Sequence, residues 1–321
     1  MEIAVRNYKT GDAEAVSALV NACHEADHAR LAVSTEMLLK RAWDEASKPE
    51  EQLLVAVSEG RTVAFCDLVR EEGTRLVSRL WILPEWRTSQ TGRLLLERRV
   101  ALAGAFPEPM LDVPVRPSQA DQASLLGSMG FVHVRTWWRM RADLLRDLPA
   151  PALPAGFTFR DASTGVGTEA LTSLVNDTFS EHWGEGIHSI GEVQRHLDSP
   201  GFDPHLLVFA ESCQRPVGYV WSWIFRDQIE LTGDACAFIG DLGVTTAYRH
   251  RGLGRALLLH ALNAVKVHGM QAAELEVDGP NASALHLYRS VGFQESDELR
   301  WYRRELQTPS RPILQAQSPE H

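Results

Sequence analysis

The sequence predicts an α/β (α+β) fold built twice, as two similar units in tandem, each a mixed sheet covered by helices on both faces. Three observations predict it. Segments of the first half recur in the same order in the second, and similarity at a fixed offset reports duplication of a whole folding unit. Each half has strand-like runs early and then alternates strand, helix, strand, helix, an order that gives a mixed sheet with helices on both faces. A proline-rich stretch separates the halves, and 321 residues suit two domains of about 100–200 residues each.

The first helix of each half follows a short strand. Val5-Arg6 precedes residues 12–23, where Ala15, Val16, Leu19 and Val20 fall at helical spacing; Phe159-Arg160 precedes Ala170, Leu171, Leu174 and Val175. Both runs end Leu-Val-Asn, at Asn21 and Asn176. Alternating runs broken by a turn come next, at 54–57, 58–60 and 63–65, with counterparts at 207–210, 213–215 and 217–219. Each reads as a β-hairpin. Trp86-Arg87 then opens a helix with Leu94, Leu95 and Leu96, as Tyr248-Arg249 opens one with Leu257, Leu258, Ala261, Leu262 and Val265. Each half closes on Gly-Phe, and Phe131 and Phe293 both lie 44 positions beyond Arg87 and Arg249. Final strands are expected at 136–140 and 299–304. Pro149, Pro151 and Pro154 forbid a regular helix or central strand in the linker 147–156. The expected units are therefore 1–146 and 157–305, followed by a tail, 306–321, without periodicity.

Composition excludes several classes. With 32 Lys and Arg against 42 Asp and Glu, the net charge is −10, which argues against sequence-independent binding to nucleic acid. No run of about 18 apolar residues occurs, and residues 1–6 lack an apolar targeting core; a cytoplasmic protein with no membrane contact is expected. The four cysteines, Cys23, Cys66, Cys213 and Cys236, form no Cys-x-x-Cys pair and read as reduced thiols. The 12 histidines contain no His-Glu-x-x-His, so no metal is predicted.

The strongest chemical signal is Asp241-Leu242-Gly243-Val244, then Thr245-Thr246-Ala247, then Tyr248-Arg249-His250-Arg251-Gly252-Leu253-Gly254-Arg255. A strand, a glycine loop and a helix start follow one another. Glycines at 252 and 254 let the backbone turn its N–H groups outward, and the helix N-terminus adds about half a positive charge. Arg249, Arg251 and Arg255 add full charges beside this cradle for a diphosphate. Gly-x-Gly before a helix also serves simply to pass a loop under a neighbour. A P-loop would need Gly-Lys-Ser/Thr, but Arg255-Ala256 follows Gly254; a dinucleotide fingerprint would need a small residue at Leu257.

The second motif is Asn281-Ala282-Ser283-Ala284-Leu285-His286-Leu287-Tyr288-Arg289-Ser290-Val291-Gly292-Phe293. With Arg249-x-x-Gly252-x-Gly254, it resembles the GNAT superfamily of acyl-CoA-dependent N-acetyltransferases over residues 157–305. The first half resembles a weaker copy, and the tandem is similar to the architecture of the mycothiol synthases. The resemblance implies two GNAT-like domains, each a mostly antiparallel sheet whose central parallel strands splay apart. It implies that residues 249–255 (Arg249, His250, Arg251, Gly252, Leu253, Gly254 and Arg255) hold the diphosphate of acetyl-CoA, the co-substrate. The pantetheine arm would lie against Leu242, Gly243 and Val244 as a strand surrogate. Asn281 matches a coenzyme-contacting Asn and is equally a helix N-cap.

Transfer of an acetyl group to an amine needs a deprotonated amine, a stabilised oxyanion and a proton for the departing thiolate. Tyr288 occupies the family's position for that acid; its alternative role is packing on its helix. Many relatives carry a Glu base where this chain has Phe238. Asp241, the sole charge in an apolar strand, and Glu230 are the candidates here; Asp241 is equally suited to capping loop N–H groups. Glu181, His182 and Trp183, in a polar aromatic interruption at 180–186, are the candidates for binding a small-molecule amine. Trp183 also suits a core position, and the glutamates a solvated face.

The first half has Arg87, Gln90 and Gly92 in place of Arg249, Gly252 and Gly254, and Gln119 and Leu126 in place of Asn281 and Tyr288. It is expected to be non-catalytic. The expected function is acetyl transfer to a primary amine in the C-terminal half by a monomer or homodimer. The alternative is a non-catalytic acyl-CoA sensor, motivated by Phe238 and the degenerate first half.

Overall fold

The computed structural model describes residues 2–35, 52–71, 75–87, 90–165, 167–180, 182–183, 187–199 and 201–306. The first half runs β1 (Ile3–Asn7), α1 (Ala13–Ala26), β2 (Leu54–Ser58), β3 (Arg61–Cys66), β4 (Val69–Glu71), β5 (Arg75–Val77) and β6 (Leu80–Ile82). It ends with α2 (Gln90–Ala103), β7 (Met110–Val115), α3 (Ala120–Ser128) and β8 (Val132–Asp143). The second half begins β9 (Phe157–Asp161), α4 (Thr168–Phe179), α5 (Ile190–Leu197), β10 (Leu207–Ser212), β11 (Arg215–Trp223) and α6 (Arg226–Thr232). It continues with β12 (Cys236–Val244), α7 (Leu253–Val267), β13 (Ala272–Asp278), α8 (Ala282–Val291) and β14 (Gln294–Glu305).

The duplication extends to local geometry. Both hairpins turn through two residues with positive φ, Glu59 (49°) and Gly60 (79°) in one, Cys213 (50°) and Gln214 (62°) in the other, the conformation that matches strand twist in a two-residue loop. Asn21 clamps the chain twelve positions on, donating to Val33 O (2.9 Å) and accepting from Val33 N (2.8 Å). Asn176 does the same with His188, at 3.0 and 2.9 Å.

Alternation along the strands divides the core into layers. In the second half Val208, Ala210 and Val220 face a cluster with Leu257, Leu258 and Leu262 of α7. Leu207, Phe209, Tyr219 and Trp221 point the other way, into a cluster with Leu171, Leu174 and Val175 of α4 and Val193 of α5. The first half repeats this: Ala56 and Ala64 lie with Leu95 and Leu96 of α2, whereas Val55 and Phe65 lie with Val16, Leu19 and Val20 of α1. Full burial of each such aliphatic side chain stabilises by about 1.5–3 kcal/mol, enough for the helical faces to select sheet registry.

The sheets do not follow the division of the sequence into halves. One sheet has the order β1-β2-β3-β6; the other has ten strands, β4-β5-β7-β14-β8-β13-β12-β11-β10-β9. Thus β8, the last strand of the first half, lies between β13 and β14, and β14 pairs in turn with β7 of the first half. Both final strands are longer than the runs expected at 136–140 and 299–304 because each is paired along both edges. The linker 147–156 carries no helix or strand.

The β8–β13 register explains the interleaving. Leu275 and Val277 oppose Met140 and Trp138 on the apolar face. On the opposite face Arg141 bonds Glu274 (2.8 Å) and Asp234 (2.6 Å), Arg139 bonds Glu276 (2.6 Å), and Arg135 grips both oxygens of Asp278 (2.8 and 2.7 Å). Removing one partner of a half-buried pair leaves an uncompensated charge. Residues 157–321 made alone are therefore expected to lack a cooperative unfolding transition. Co-expression with residues 1–156 should recover a complex with native near-ultraviolet dichroism on size exclusion.

Candidate active site

The site is built where two parallel strands part. β12 and β13 pair only at Cys236↔Ala272, Ala237↔Ala273 and Phe238↔Glu274. Immediately beyond, the β11–β12 register passes from Ser222↔Ile239 to Trp221↔Asp241, leaving Gly240 as an extra residue. Such a bulge bends and twists its strand, and here it turns residues 239–244 away from β13. From that point, among the described residues, β12 has a neighbouring strand only on its β11 edge. On its other edge the backbone groups of Leu242, Gly243 and Val244 border the opening.

Gly243 is required by close packing. A Cβ there would lie 2.6 Å from Thr178 Oγ1 and 2.7 Å from its Cβ, and a Cβ on the facing Gly218 would lie 2.9 Å from Gly243 O. These two glycines let α4 and β11 close on β12 beside the opening.

The loop after β12 has the geometry of an anion cradle. His250 and Gly252 adopt positive φ, 60° and 85°, and Gly252 is the N-cap of α7. The first-turn N–H groups of Leu253, Gly254 and Arg255 have no acceptor within a helix, and the helix dipole adds to them. The Leu253 side chain is buried, so only its backbone faces the cradle, whereas His250 is exposed.

The three arginines of the loop are engaged within the protein. Arg249 turns back, its Nε donating to Val244 O (3.0 Å) and a terminal nitrogen to Thr178 O (3.4 Å). Arg251 lies over the Tyr248 ring at 5.1 Å and bonds Ala247 O. Arg255 bonds Ser290 Oγ (2.9 Å), tying α7 to α8. In the first half Arg87 Nε donates to Ile82 O (3.1 Å), the equivalent of the Arg249 bond to Val244. The arginine shared by both halves therefore braces the end of a strand.

Asn281 caps α8, its side-chain oxygen accepting from Ala284 N at 3.1 Å. One helical face on, Tyr288 packs against Phe293 with ring centroids 6.0 Å apart. Burial pushes its phenol up to about 12, and the nearby Asp241 carboxylate adds to the shift. Asp241 stands opposite Trp221, and paired residues share a face, so it belongs to the face covered by α4 and α5. Tyr288 belongs to the face covered by α7 and α8. The structure thus brings these two candidates to opposite sides of one opening. Glu230 is exposed on α6.

Of the acceptor candidates, Glu181 lies outside the described residues. His182 packs edge-on against Trp137 at 5.9 Å. Trp183 is held between guanidinium groups, with Arg75 at 4.5 Å, Arg303 at 5.2 Å and Arg135 at 5.7 Å from its ring. It also meets Trp137 (6.2 Å) and Trp301 (5.9 Å) edge-on. These residues back a wall whose inner surface is formed by others.

That wall bounds a cavity of about 760 Å³ between the halves, lined by Asp27, Trp81 and Gln119 from the first half and Trp137, Gln228, Glu276 and Trp301 among the rest. His24 also lines it; burial drives its imidazole down to about 4, keeping it neutral. Its Nε2 accepts from Trp81 Nε1 (3.2 Å) while Nδ1 faces Leu31 O (3.1 Å). No motif in the sequence marks this cavity. The available signal was the matched alternation of Arg135, Arg139 and Arg141 with Asp278, Glu276 and Glu274, which places β8 beside β13.

Comparison with known proteins decides the family. The acetyltransferase (GNAT) family profile matches residues 165–293. The mycothiol acetyltransferase of Thermobispora bispora is 30% identical over 293 residues, covering 88% of this chain and 92% of that protein. The chain belongs to the GNAT acetyltransferases. As a member it is an N-acetyltransferase of a family that uses acetyl-CoA. The mycothiol acetyltransferase of Thermobifida fusca is 29% identical over 88% of this chain and 92% of its own length. The fold is shared with a GCN5-related N-acetyltransferase from Sphaerobacter thermophilus (TM-score 0.78, 24% identity, 95% and 96% of the two chains). It is shared also with a tandem GNAT protein from the clavulanic acid biosynthesis pathway (TM-score 0.72, 19% identity, 96% and 100%). Among the described residues of this GNAT protein no group of three or more His, Cys, Asp or Glu could hold a metal, and no helix is long and apolar enough to cross a membrane.

The packing at Gly243 gives a direct test. Gly243→Ala should lower stability by about 1–3 kcal/mol, the usual range for overpacking. Urea denaturation would register it as a reduced midpoint with unchanged slope.

Proposed function

We propose that this GNAT protein transfers acetyl from acetyl-CoA to the primary amine of a small molecule, in its C-terminal half. The observation that carries the reading is the placement of Asp241 and Tyr288 on opposite faces of the opening between β12 and β13. The N–H groups of Leu253, Gly254 and Arg255 receive the coenzyme diphosphate, and Gly252 leaves it room, since a Cβ there would meet nothing within 4 Å. The free edge of Leu242, Gly243 and Val244 pairs with the pantetheine amides and donates an N–H to the thioester carbonyl, where negative charge grows during attack.

The amine enters from the cavity side. Asp241 accepts its proton, directly or through water, in the role that Phe238 cannot fill. Tyr288 then donates its phenolic proton to the thiolate that departs on the other face. Burial and Asp241 raise the Tyr288 phenol to about 12, so at neutral pH its proton is in place when the thiolate forms.

The lining of the cavity supports a reading of what else the acceptor carries. Trp137 Nε1, Trp301 Nε1 and Gln228 Nε2 are buried donors with no hydrogen-bond partner among the described residues. Buried donors are ordinarily paired, so an acceptor rich in hydroxyl or carbonyl oxygens suits this wall. This agrees with the relatives named mycothiol acetyltransferase. The four free thiols fit a cytoplasmic setting.

Turnover is measured as thiol release from acetyl-CoA across a panel of hydroxylated primary amines. Tyr288→Phe should lower kcat about 10²-fold or more with little change in the KM for acetyl-CoA; a wild-type rate under chemistry-limited conditions would remove Tyr288 from the mechanism. Asp241→Asn should depress kcat/KM for the amine and abolish the acid limb of its pH profile. Coenzyme binding without thiol release for every amine would favour a sensor instead. Because the folded-state value of Tyr288 lies above the ordinary 10.0, its contribution to stability is complete below pH 10. It is lost between pH 10 and about 12, where the unfolded chain gives up that proton first. Alkaline unfolding of Tyr288→Phe should lack this component.

A further inference from the structure

The cavity between the halves is floored by one face of the ten-stranded sheet, where Trp301 stands opposite Pro114, Leu299 opposite Trp137 and Arg139 opposite Glu276. Its charge is opposite in sign to that of the whole chain. Among the described residues five arginines line it, Arg70, Arg75, Arg79, Arg116 and Arg139, against two carboxylates, Asp27 and Glu276, although the chain carries a net charge of −10. Both carboxylates are engaged. Asp27 accepts from Arg87 at 2.8 and 2.9 Å and from Gln119 at 2.8 Å, and Glu276 accepts from Arg139 at 2.6 Å. The carboxylates that pair with the other arginines, Glu108, Asp112, Asp67 and Asp297, are not part of the lining.

Two of these arginines converge. Asp297 stands opposite Arg139, and Arg116 donates its Nε to Asp297 at 2.8 Å, so two guanidinium groups flank one carboxylate. Arg139 directs Nε and one terminal nitrogen to Glu276 (3.2 and 2.6 Å), while its other terminal nitrogen lies 3.7 Å from Glu274, beyond hydrogen-bond distance. Both terminal nitrogens of Arg116 and one of Arg139 therefore make no hydrogen bond among the described residues, in side chains only 17% and 21% exposed. A guanidinium presents five N–H donors in a fork that suits a carboxylate or a phosphate. Both charges bear on His24, whose imidazole is driven down first by burial and then by Arg116, with Arg139 adding to the shift. The arrangement is not inherited from the duplication. Counted from Phe131 and Phe293, Arg116 corresponds to Asp278 and Arg139 to Trp301.

We propose that the acceptor amine also carries an oxyanion, a carboxylate or a phosphate, which Arg116 and Arg139 hold at the floor of this cavity. This rests on the reading of the cavity as the side from which the amine enters. A simple alkylamine arrives as an ammonium ion, and a lining with an excess of positive charge opposes its entry. A negative group on the same molecule offsets that repulsion and orients the amine. The buried donors of the lining, Trp137 Nε1, Trp301 Nε1 and Gln228 Nε2, have the same preference, and no buried side-chain acceptor of the lining lacks a partner among the described residues.

The test is titration calorimetry on the full chain with matched amines: D-glucosamine against its 6-phosphate, and L-serinamide against L-serine. Coenzyme A is kept at saturation, so that its own phosphate sites are filled. The anionic member of at least one pair should bind about tenfold or more tighter than its neutral partner, and Arg116→Gln should abolish most of that ratio. An excess confined to the first pair identifies a phosphate, and one confined to the second a carboxylate. Arg116 is the residue to change because Arg139 also joins β8 to β13; near-ultraviolet dichroism verifies the fold. Equal affinities within both pairs would overturn the proposal, as would no detectable binding of either anionic amine. An excess that survives in Arg116→Gln places the anion elsewhere and overturns it too. If Arg116→Gln fails to fold, the wild-type ratios still decide. Thiol release is read separately: anionic amines that bind with the expected ratio, with no amine releasing thiol, would refute acetyl transfer and leave the anion site standing.

Discussion

Everything at this site depends on β12 leaving β13 after only three paired positions. A parallel pair normally continues until a strand ends, because each further residue satisfies backbone groups that are costly to leave unpaired. Here Gly240 forms a bulge at the point where pairing stops. Beyond it, one edge of Leu242, Gly243 and Val244 is left to border an opening. The first turn of α7, the capped start of α8 and the Tyr288 phenol all surround this opening. The strand could not be held apart without support from behind, and Gly243 against Thr178 and Gly218 against Gly243 provide it by removing the side chains that would keep α4 and β11 at a distance.

The second constraint is the interleaving of the halves. A duplicated unit could have closed each sheet on its own final strand. Instead β8 supplies three arginines to the three carboxylates of β13, while its other face supplies Trp138, Met140 and Ala142 to the apolar layer. Ion pairs in partly buried positions contribute little net stability against their desolvation cost. Their effect is selective: a one-residue slip would bring arginines against leucine and valine and leave six charges unpaired. The same exchange sets Trp137 and Trp301 against Trp183 and makes the cavity a joint product of both halves.

Duplication followed by divergence has left the two halves with different residues at corresponding positions. The second half keeps the left-handed glycine, the exposed first turn of a helix, the phenol and the strand carboxylate. In the first half Asp27 and Gln119 present a polar surface to the shared cavity. The arginine common to both, Arg87 and Arg249, shows how a repeated residue can preserve a structural brace while its surroundings change.

The sequence by itself determined the duplication, the order of elements, the hairpins, the glycine loop before α7, the Asn281 cap and the family. All of these are recorded within a few residues of one another, as periodicity, turn chemistry or motif spacing, and the two copies reinforce each reading. Tertiary structure alone decided that β8 crosses into the second half, that Arg249 faces inward, that Asp241 and Tyr288 flank one opening, and that Trp183 backs the cavity instead of lining it. Each of these depends on which distant segments become neighbours, as Arg135 and Asp278 do from 143 positions apart. Pairing between strands, with its requirement to match charge to charge and apolar surface to apolar surface, is what selects those neighbours.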